Sequence, residues 1–159
     1  MTKRVIMRAG LSGVLMPTAL GMRRFSPDDA QPLGKLLFEA YLGTIDQEED
    51  TLEQAHAEIG KTINGEYGVF LPSCSIVVER SGSLVSAALL TRFRDRPFIA
   101  FSVTSPDSKN QGLARACIGA AMTELHAVGE SEVHLVVTRA NGPAFHLYKT
   151  LGFEVERDA

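Results

Sequence analysis

Alternating apolar and polar stretches divide the central part of the chain into strands and a helix. Residues 98–104 form a near-continuous apolar run that ends in a polar turn at 105–114. A helical pattern follows at 113–128, apolar on most of its circumference, and Gly129 ends it. Residues 133–138 are again strand-like and rich in β-branched side chains. Strand, turn, buried helix and strand in this order predict a βαβ unit in a parallel sheet.

The flanking segments predict further elements around this unit. Ser26, Pro27 and two aspartates are typical of a helix start. We expect a strand at 22–25, helices at 26–43 and 51–63, strands at 75–80 and 84–92 around a hairpin turn, a last helix at 142–151 and a final strand at 153–155. Residues 1–21 are interpreted as an N-terminal extension without an assigned role, with an added edge strand at 5–7, and residues 22–159 as one domain.

The polar turn before the predicted central helix carries features of an anion-binding site. A helix N-terminus leaves backbone N–H groups unpaired and partially positive, so it can hold a phosphate. Gly112 allows a ligand to approach the backbone, and Lys109 and Arg115 add positive charge. The alternative is that Asn110 simply caps an ordinary helix. The turn is neither a P-loop nor a three-glycine dinucleotide fingerprint.

Two motifs resemble one protein family. Residues 109–114, Lys-Asn-Gln-Gly-Leu-Ala, resemble the acyl-CoA-binding motif Gln/Arg-x-x-Gly-x-Gly/Ala of the GNAT superfamily of N-acyltransferases, with Lys109 where Gln or Arg is usual. Residues 141–153 resemble the second signature of that family, Asn…Ala…Leu-Tyr…Leu-Gly-Phe. The resemblance implies an α/β (α+β) fold for residues 22–159, an acyltransferase-like domain. Its mixed central sheet would have an antiparallel N-terminal half, a parallel centre and helices on both faces.

The resemblance also implies roles for individual residues. Tyr148 matches the position at which many members have a general acid for the departing thiolate; its alternative role is packing in an amphipathic helix. Asn141 would contact the pantetheine arm or merely cap its helix. The backbone N–H of Val103 or Thr104 would polarise the thioester carbonyl. The cofactor-binding residues would be Val103, Thr104, Ser105, Lys109, Asn110, Gln111, Gly112, Leu113, Ala114, Arg115, Asn141, Ala144 and Tyr148.

The general base is less evident from the sequence. A lysine-like amine has a pKa of roughly 10.4 and must lose a proton before it attacks, yet residues 98–104 contain no carboxylate. The candidates are Asp46, Glu48 and Glu66, or a chain of water molecules. By the resemblance, the segment between the first two helices forms a wall of the acceptor site. Its acids would make that wall negative and suited to a cationic amine, or else they are solvated loop residues: Asp46, Glu48, Glu49, Asp50 and Glu53.

Composition narrows the classes of function. A net charge of −3 argues against a general nucleic-acid binder, and no apolar run is long enough for a membrane span. The prediction is a cytoplasmic, metal-free N-acetyltransferase that moves an acetyl group from acetyl-CoA, or another acyl-CoA, to a small-molecule or protein primary amine in a ternary complex. A homodimer is compatible with it. The rival predictions are a non-catalytic acyl-CoA sensor or partner subunit and a nucleotide-phosphate binder.

Overall fold

The computed structural model describes residues 3–13, 17–44 and 46–159. Within these residues the elements are β1 Arg4–Gly10, β2 Met22–Arg24, α1 Ala30–Tyr41, α2 Leu52–Ile63, β3 Val69–Phe70, β4 Ile76–Arg80, β5 Ser83–Phe93, β6 Arg96–Thr104, α3 Leu113–Ala127, β7 Glu132–Thr138, α4 Gly142–Thr150 and β8 Glu154–Asp158. From β2 onward the predicted order is confirmed apart from β3, whose two residues are too few to produce a period.

The strands form one mixed sheet in the order β2-β4-β5-β6-β7-β1-β8, and β3 also pairs with β5. Neighbouring strands are antiparallel except β6 and β7, which are parallel and pair at Phe98 with His134 and at Ile99 with Leu135. The predicted fold class, with an antiparallel N-terminal half and a parallel centre, is therefore confirmed.

The strand expected at the sheet edge near the start of the chain lies inside the sheet. β1 pairs antiparallel with β7 on one side and with β8 on the other. Val5, Met7 and Ala9 are buried. An edge strand leaves one row of N–H and C=O groups unpaired, whereas both neighbours of β1 pair with it, so the edge prediction was wrong. The division of the chain at residue 21 remains a prediction.

Helices cover the two faces of the sheet and create two hydrophobic cores. Because successive side chains of a strand point to opposite faces, Ile76 and Val78 pack with α3 residues while Val77 packs with residues of α1 and α2. The core beside α1 and α2 contains residues of β4, β5 and β6 but none of β7, β1 or β8 in the described chain. That half of the sheet face is therefore free to form the wall of a cavity.

An ion pair joins the start of α1 to β2. Arg23 donates to both carboxylate oxygens of Asp29, at 2.9 and 2.8 Å, and the Ser26 amide donates to the same carboxylate at 2.7 Å. Burial opposes ionisation of this carboxylate, but the hydrogen bonds hold the pKa of Asp29 below its ordinary value. The predicted start of this helix at Ser26 is occupied by a short 3-10 turn, Pro27–Asp29, that leads directly into α1. None of the helices in the described residues is long and apolar enough to cross a membrane.

Candidate active site

A large cavity opens where β6 and β7 separate. The two strands pair at residues 98–99 of β6, and within residues 3–13, 17–44 and 46–159 no strand pairs with the following residues of β6 on that side. The cavity has a volume of about 940 Å³ and is lined by residues of β6, the N-terminus of α3, α4, and the segment between α1 and α2. Unpaired main-chain groups along one wall can bind an extended polar ligand.

The N-terminus of α3 opens into this cavity without a side-chain cap. The N-cap residue is Gly112, with φ of 75°, and no side chain among the described residues accepts a hydrogen bond from the first turn. Asn110 lies before the cap, with φ of 63°, so the alternative that Asn110 caps an ordinary helix was wrong. No atom lies within 4 Å of a Cβ built on Gly112. The uncapped N–H groups and the open space together suit an anionic ligand.

Most residues predicted to bind the cofactor lie around the cavity. Eleven of the thirteen line it: Val103, Thr104, Lys109, Asn110, Gly112, Leu113, Ala114, Arg115, Asn141, Ala144 and Tyr148. Ser105 and Gln111 do not. The Ser105 amide donates to the Val85 carbonyl at 2.8 Å, and the Gln111 side chain accepts from Arg80 at 3.0 Å. The cofactor contacts themselves remain predictions.

The hydrogen bonds of β6 distinguish between the two backbone groups proposed to polarise the thioester. The Val103 carbonyl accepts from the Ser86 hydroxyl of β5, and the Ser105 amide donates to β5. Since main-chain groups alternate in direction along a strand, the amide of Val103 also points to β5. The Thr104 amide points to the open side, which favours Thr104 for this role.

Two tyrosines and a serine meet beside the gap. The Tyr41 hydroxyl donates to the Ser102 carbonyl at 3.1 Å, and the Tyr148 ring packs edge-on against Phe153 at 5.9 Å. Burial raises the pKa of the Tyr148 phenol, and a hydrogen bond with the Ser102 side chain partly offsets that effect. Burial, followed by the proximity of Tyr148, also raises the pKa of Tyr41. Both phenols are therefore protonated at neutral pH, and Tyr148 can donate a proton or a hydrogen bond.

The predicted acidic wall is present in part, and two of the carboxylates, those of Asp46 and Glu48, already have partners. Asp46, Glu48, Glu49 and Glu66 line the cavity, whereas Asp50 and Glu53 do not. Asn141 Nδ2 donates to Asp46 at 2.6 Å, and Arg4 of β1 donates to Glu48. Asn141 also accepts from the Ala144 amide at 3.3 Å and so caps α4.

Glu49 is a base candidate that sequence reasoning did not single out. Its side chain lines the cavity and is 6% exposed. Burial, with the nearby charges of Glu48 and Glu58, raises the pKa of Glu49. A carboxylate with a raised pKa in a cavity is a candidate for proton transfer. The only available signal was the density of acids at 46–50, which does not show which one is buried.

The two cysteines are buried and form no disulfide. Cys117 lies inside α3 and donates to Ser86 Oγ at 3.7 Å. Burial raises the pKa of the Cys117 thiol to about 11. A thiol with this pKa is a poor nucleophile at neutral pH, so the arrangement does not favour a covalent acyl-cysteine.

Comparison with known proteins agrees with the architecture. The family model described as Acetyltransferase (GNAT) family matches residues 33–153. None of the curated proteins compared with the chain matches it.

Three solved structures illustrate the likeness in fold. A GCN5-related N-acetyltransferase from Sphaerobacter thermophilus is 18% identical, with a TM-score of 0.75 over 99% of this chain and 49% of that chain. The ribosomal-protein-S18-alanine N-acetyltransferase from Escherichia coli is 19% identical, with a TM-score of 0.62 over 82% of this chain and 75% of that one. PaiA N-acetyltransferase from Thermoplasma acidophilum, in complex with coenzyme A, is 19% identical, with a TM-score of 0.67 over 89% of this chain and 96% of that chain. The chain spans about half the length of the Sphaerobacter protein.

Proposed function

Because the chain belongs to the GNAT family of acetyltransferases, we propose that it transfers an acetyl group from acetyl-CoA to a primary amine. The amine attacks the thioester directly while both substrates are bound. One observation carries the proposal: a single cavity joins the uncapped N-terminus of α3, the gap between β6 and β7, Tyr148 and the acidic segment. The groups that would bind the anion and the extended arm, donate a proton and accept a proton thus line one cavity.

The N-terminus of α3 would hold the pyrophosphate of CoA. The N–H groups after Gly112 and the charges of Lys109 and Arg115 are complementary to it. The pantetheine arm would follow the unpaired side of β6 and bring the thioester carbonyl to the Thr104 amide. That amide would stabilise the negative oxygen of the tetrahedral intermediate.

Glu49 would accept the proton of the acceptor ammonium. Its raised pKa makes it a stronger base than an ordinary glutamate, and it belongs to the acidic segment that would form the acceptor wall. The neutral nitrogen then attacks the carbonyl carbon. Asp46, Glu48 and Glu66 remain candidates, but the first two already bind Asn141 and Arg4.

Tyr148 would act when the intermediate collapses. The C–S bond breaks, the sulfur takes the electron pair, and the phenol donates its proton to the thiolate. The nitrogen loses its second proton to solvent, so that the products are the N-acetyl amide and CoA thiol, and the phenolate regains a proton from solvent. Contact with the Ser102 side chain would hold the hydroxyl beside the unpaired edge of β6.

Release of free thiol from acetyl-CoA across a panel of primary amines tests the proposal. We expect amine-dependent thiol release together with the N-acetylated product. Thermal shifts with acetyl-CoA, CoA and ATP serve as the accompanying binding test. Binding of acetyl-CoA without turnover of any amine would favour a sensor, and stabilisation by ATP alone would favour a nucleotide-phosphate binder.

A further inference from the structure

Arginines of the sheet and of the turn before β6 line the cavity together with the acidic segment. We propose that the acceptor carries an anionic group besides its amine and that Arg157 of β8 binds this group. The inference rests on the proposed function and deepens it, because it names the class of acceptor. The sequence predicted a negative wall that suits a cationic amine, whereas the cavity has charges of both signs.

The ion pairs within the cavity single out Arg157. Four arginines line the part of the cavity away from α3: Arg4, Arg94, Arg96 and Arg157. Arg4 is paired with Glu48, and Arg96 donates to Glu156 at 2.9 Å. Arg94 lies over the Phe93 ring, 5.1 Å from its centroid. The side chain of Arg157 has no hydrogen bond, ion pair or ring contact with any residue in the described part of the chain.

The register of the sheet places Arg157 on a direct line from the gap. Arg157 lies opposite Ile6, and Ile6 lies opposite Val136, which directly follows the last residue of β7 that pairs with β6. Two strand spacings, about 10 Å, therefore separate the backbone of Arg157 from that of β7. Arg94 is in the turn before β6 and lies roughly 20 Å along the strand from Ser102.

The surfaces between these points indicate the shape of the acceptor. Ile6 and Val136 form an apolar floor between the gap and Arg157. The amine would lie at the gap beside Glu49, a short apolar segment would cross the floor, and the anion would meet the guanidinium. Guanidinium binds carboxylate and phosphate alike through paired N–H donors. The shared chemistry is thus an amine and an anion joined by a short apolar chain.

Acetylation of paired acceptors tests the inference. The probes are ε-aminocaproate, its carboxamide and an aminoalkyl phosphate of the same length. We expect kcat/KM for the carboxylate or the phosphate to exceed that for the carboxamide by about tenfold to a hundredfold, the range of one charge-assisted hydrogen bond. The probe with the higher kcat/KM shows whether the anionic group of the acceptor is a carboxylate or a phosphate. Arg157→Gln should remove the preference by raising KM for the anionic acceptor only, while Arg24→Gln, an exposed arginine on β2 outside this cavity, should retain it.

Two results would overturn the inference but would not contradict the proposed function. One is equal use of the carboxamide by the wild-type protein. The other is an equal loss on charged and uncharged acceptors in Arg157→Gln, which would indicate a merely structural role. If no amine is acetylated, the proposed function itself fails. Calorimetric titration of the CoA-bound protein with ε-aminocaproate and its carboxamide then still decides the anion site, because equal affinity of the two contradicts it.

Discussion

A negative charge at Gly112 should weaken acetyl-CoA binding through electrostatics alone. The position has φ of 75°, and no atom lies within 4 Å of an added Cβ, so a small side chain fits without a clash. Asp and Asn tolerate this backbone region better than other residues with a side chain. Gly112→Asp and Gly112→Asn have nearly the same shape, so their difference isolates the charge.

The size of the effect follows from Coulomb's law. An Asp carboxylate at this position would lie about 5 Å from a phosphate group held by the first turn of α3. At an effective dielectric constant of about 20, the repulsion is about 3 kcal/mol, or roughly a hundredfold in Kd. Screening by about 1 M salt, with a Debye length of about 3 Å, should reduce the difference between the two variants.

Isothermal titration calorimetry with acetyl-CoA measures the difference, and thermal unfolding verifies that both variants fold. Gly129→Asp and Gly129→Asn are the matched controls. Gly129 lies at the other end of α3, with φ of 95° and no atom within 4 Å of an added Cβ, and its variants should bind acetyl-CoA like wild type. Equal affinities of folded Gly112→Asp and Gly112→Asn would refute the assignment of the phosphate site.

Three further predictions concern the chemistry and the stability of the protein. Tyr148→Phe should lower kcat by ~10²–10⁴ with unchanged acetyl-CoA affinity; wild-type turnover under conditions where chemistry limits the rate would make Tyr148 a packing residue. Glu49→Gln should lower kcat/KM and remove the decline of kcat/KM at low pH, because a base with a raised pKa loses activity as pH falls through that pKa. An unchanged pH profile would exclude Glu49 as the base. Asp46→Asn and Glu48→Gln are expected mainly to raise the acceptor KM, and in that case they would be compared for a loss of kcat. Asp29→Asn should lower the free energy of unfolding by roughly 1.5–3 kcal/mol at neutral pH, and equal chemical-denaturation midpoints of mutant and wild type at that pH would contradict this prediction. Because folding depresses the pKa of Asp29, the stabilisation is present above the pKa of the unfolded state and is lost as pH falls through the pKa of the folded state.

Local patterns in the sequence were sufficient to predict most of the elements and the anion turn. A period of about 3.6 or 2 residues is a property of neighbouring positions, so α3, β6 and β7 could be predicted within one or two residues. The glycine turn at 109–114 is equally local, since its conformation and its uncapped helix start involve adjacent residues. The motif therefore predicts an anion-binding site from the sequence alone.

Only the tertiary structure decided which distant segments meet. The insertion of β1 between β7 and β8 depends on strand order, which a local period does not encode. That insertion brings Arg4 to Glu48 and aligns Arg157 with the gap. The raised pKa of Glu49 likewise arises mainly from burial, then from the neighbouring charge of Glu48 and, to a smaller extent, from Glu58 of α2. The sequence determines the sign of each side-chain charge, but whether that charge is paired, buried or free depends on contacts between residues far apart along the chain.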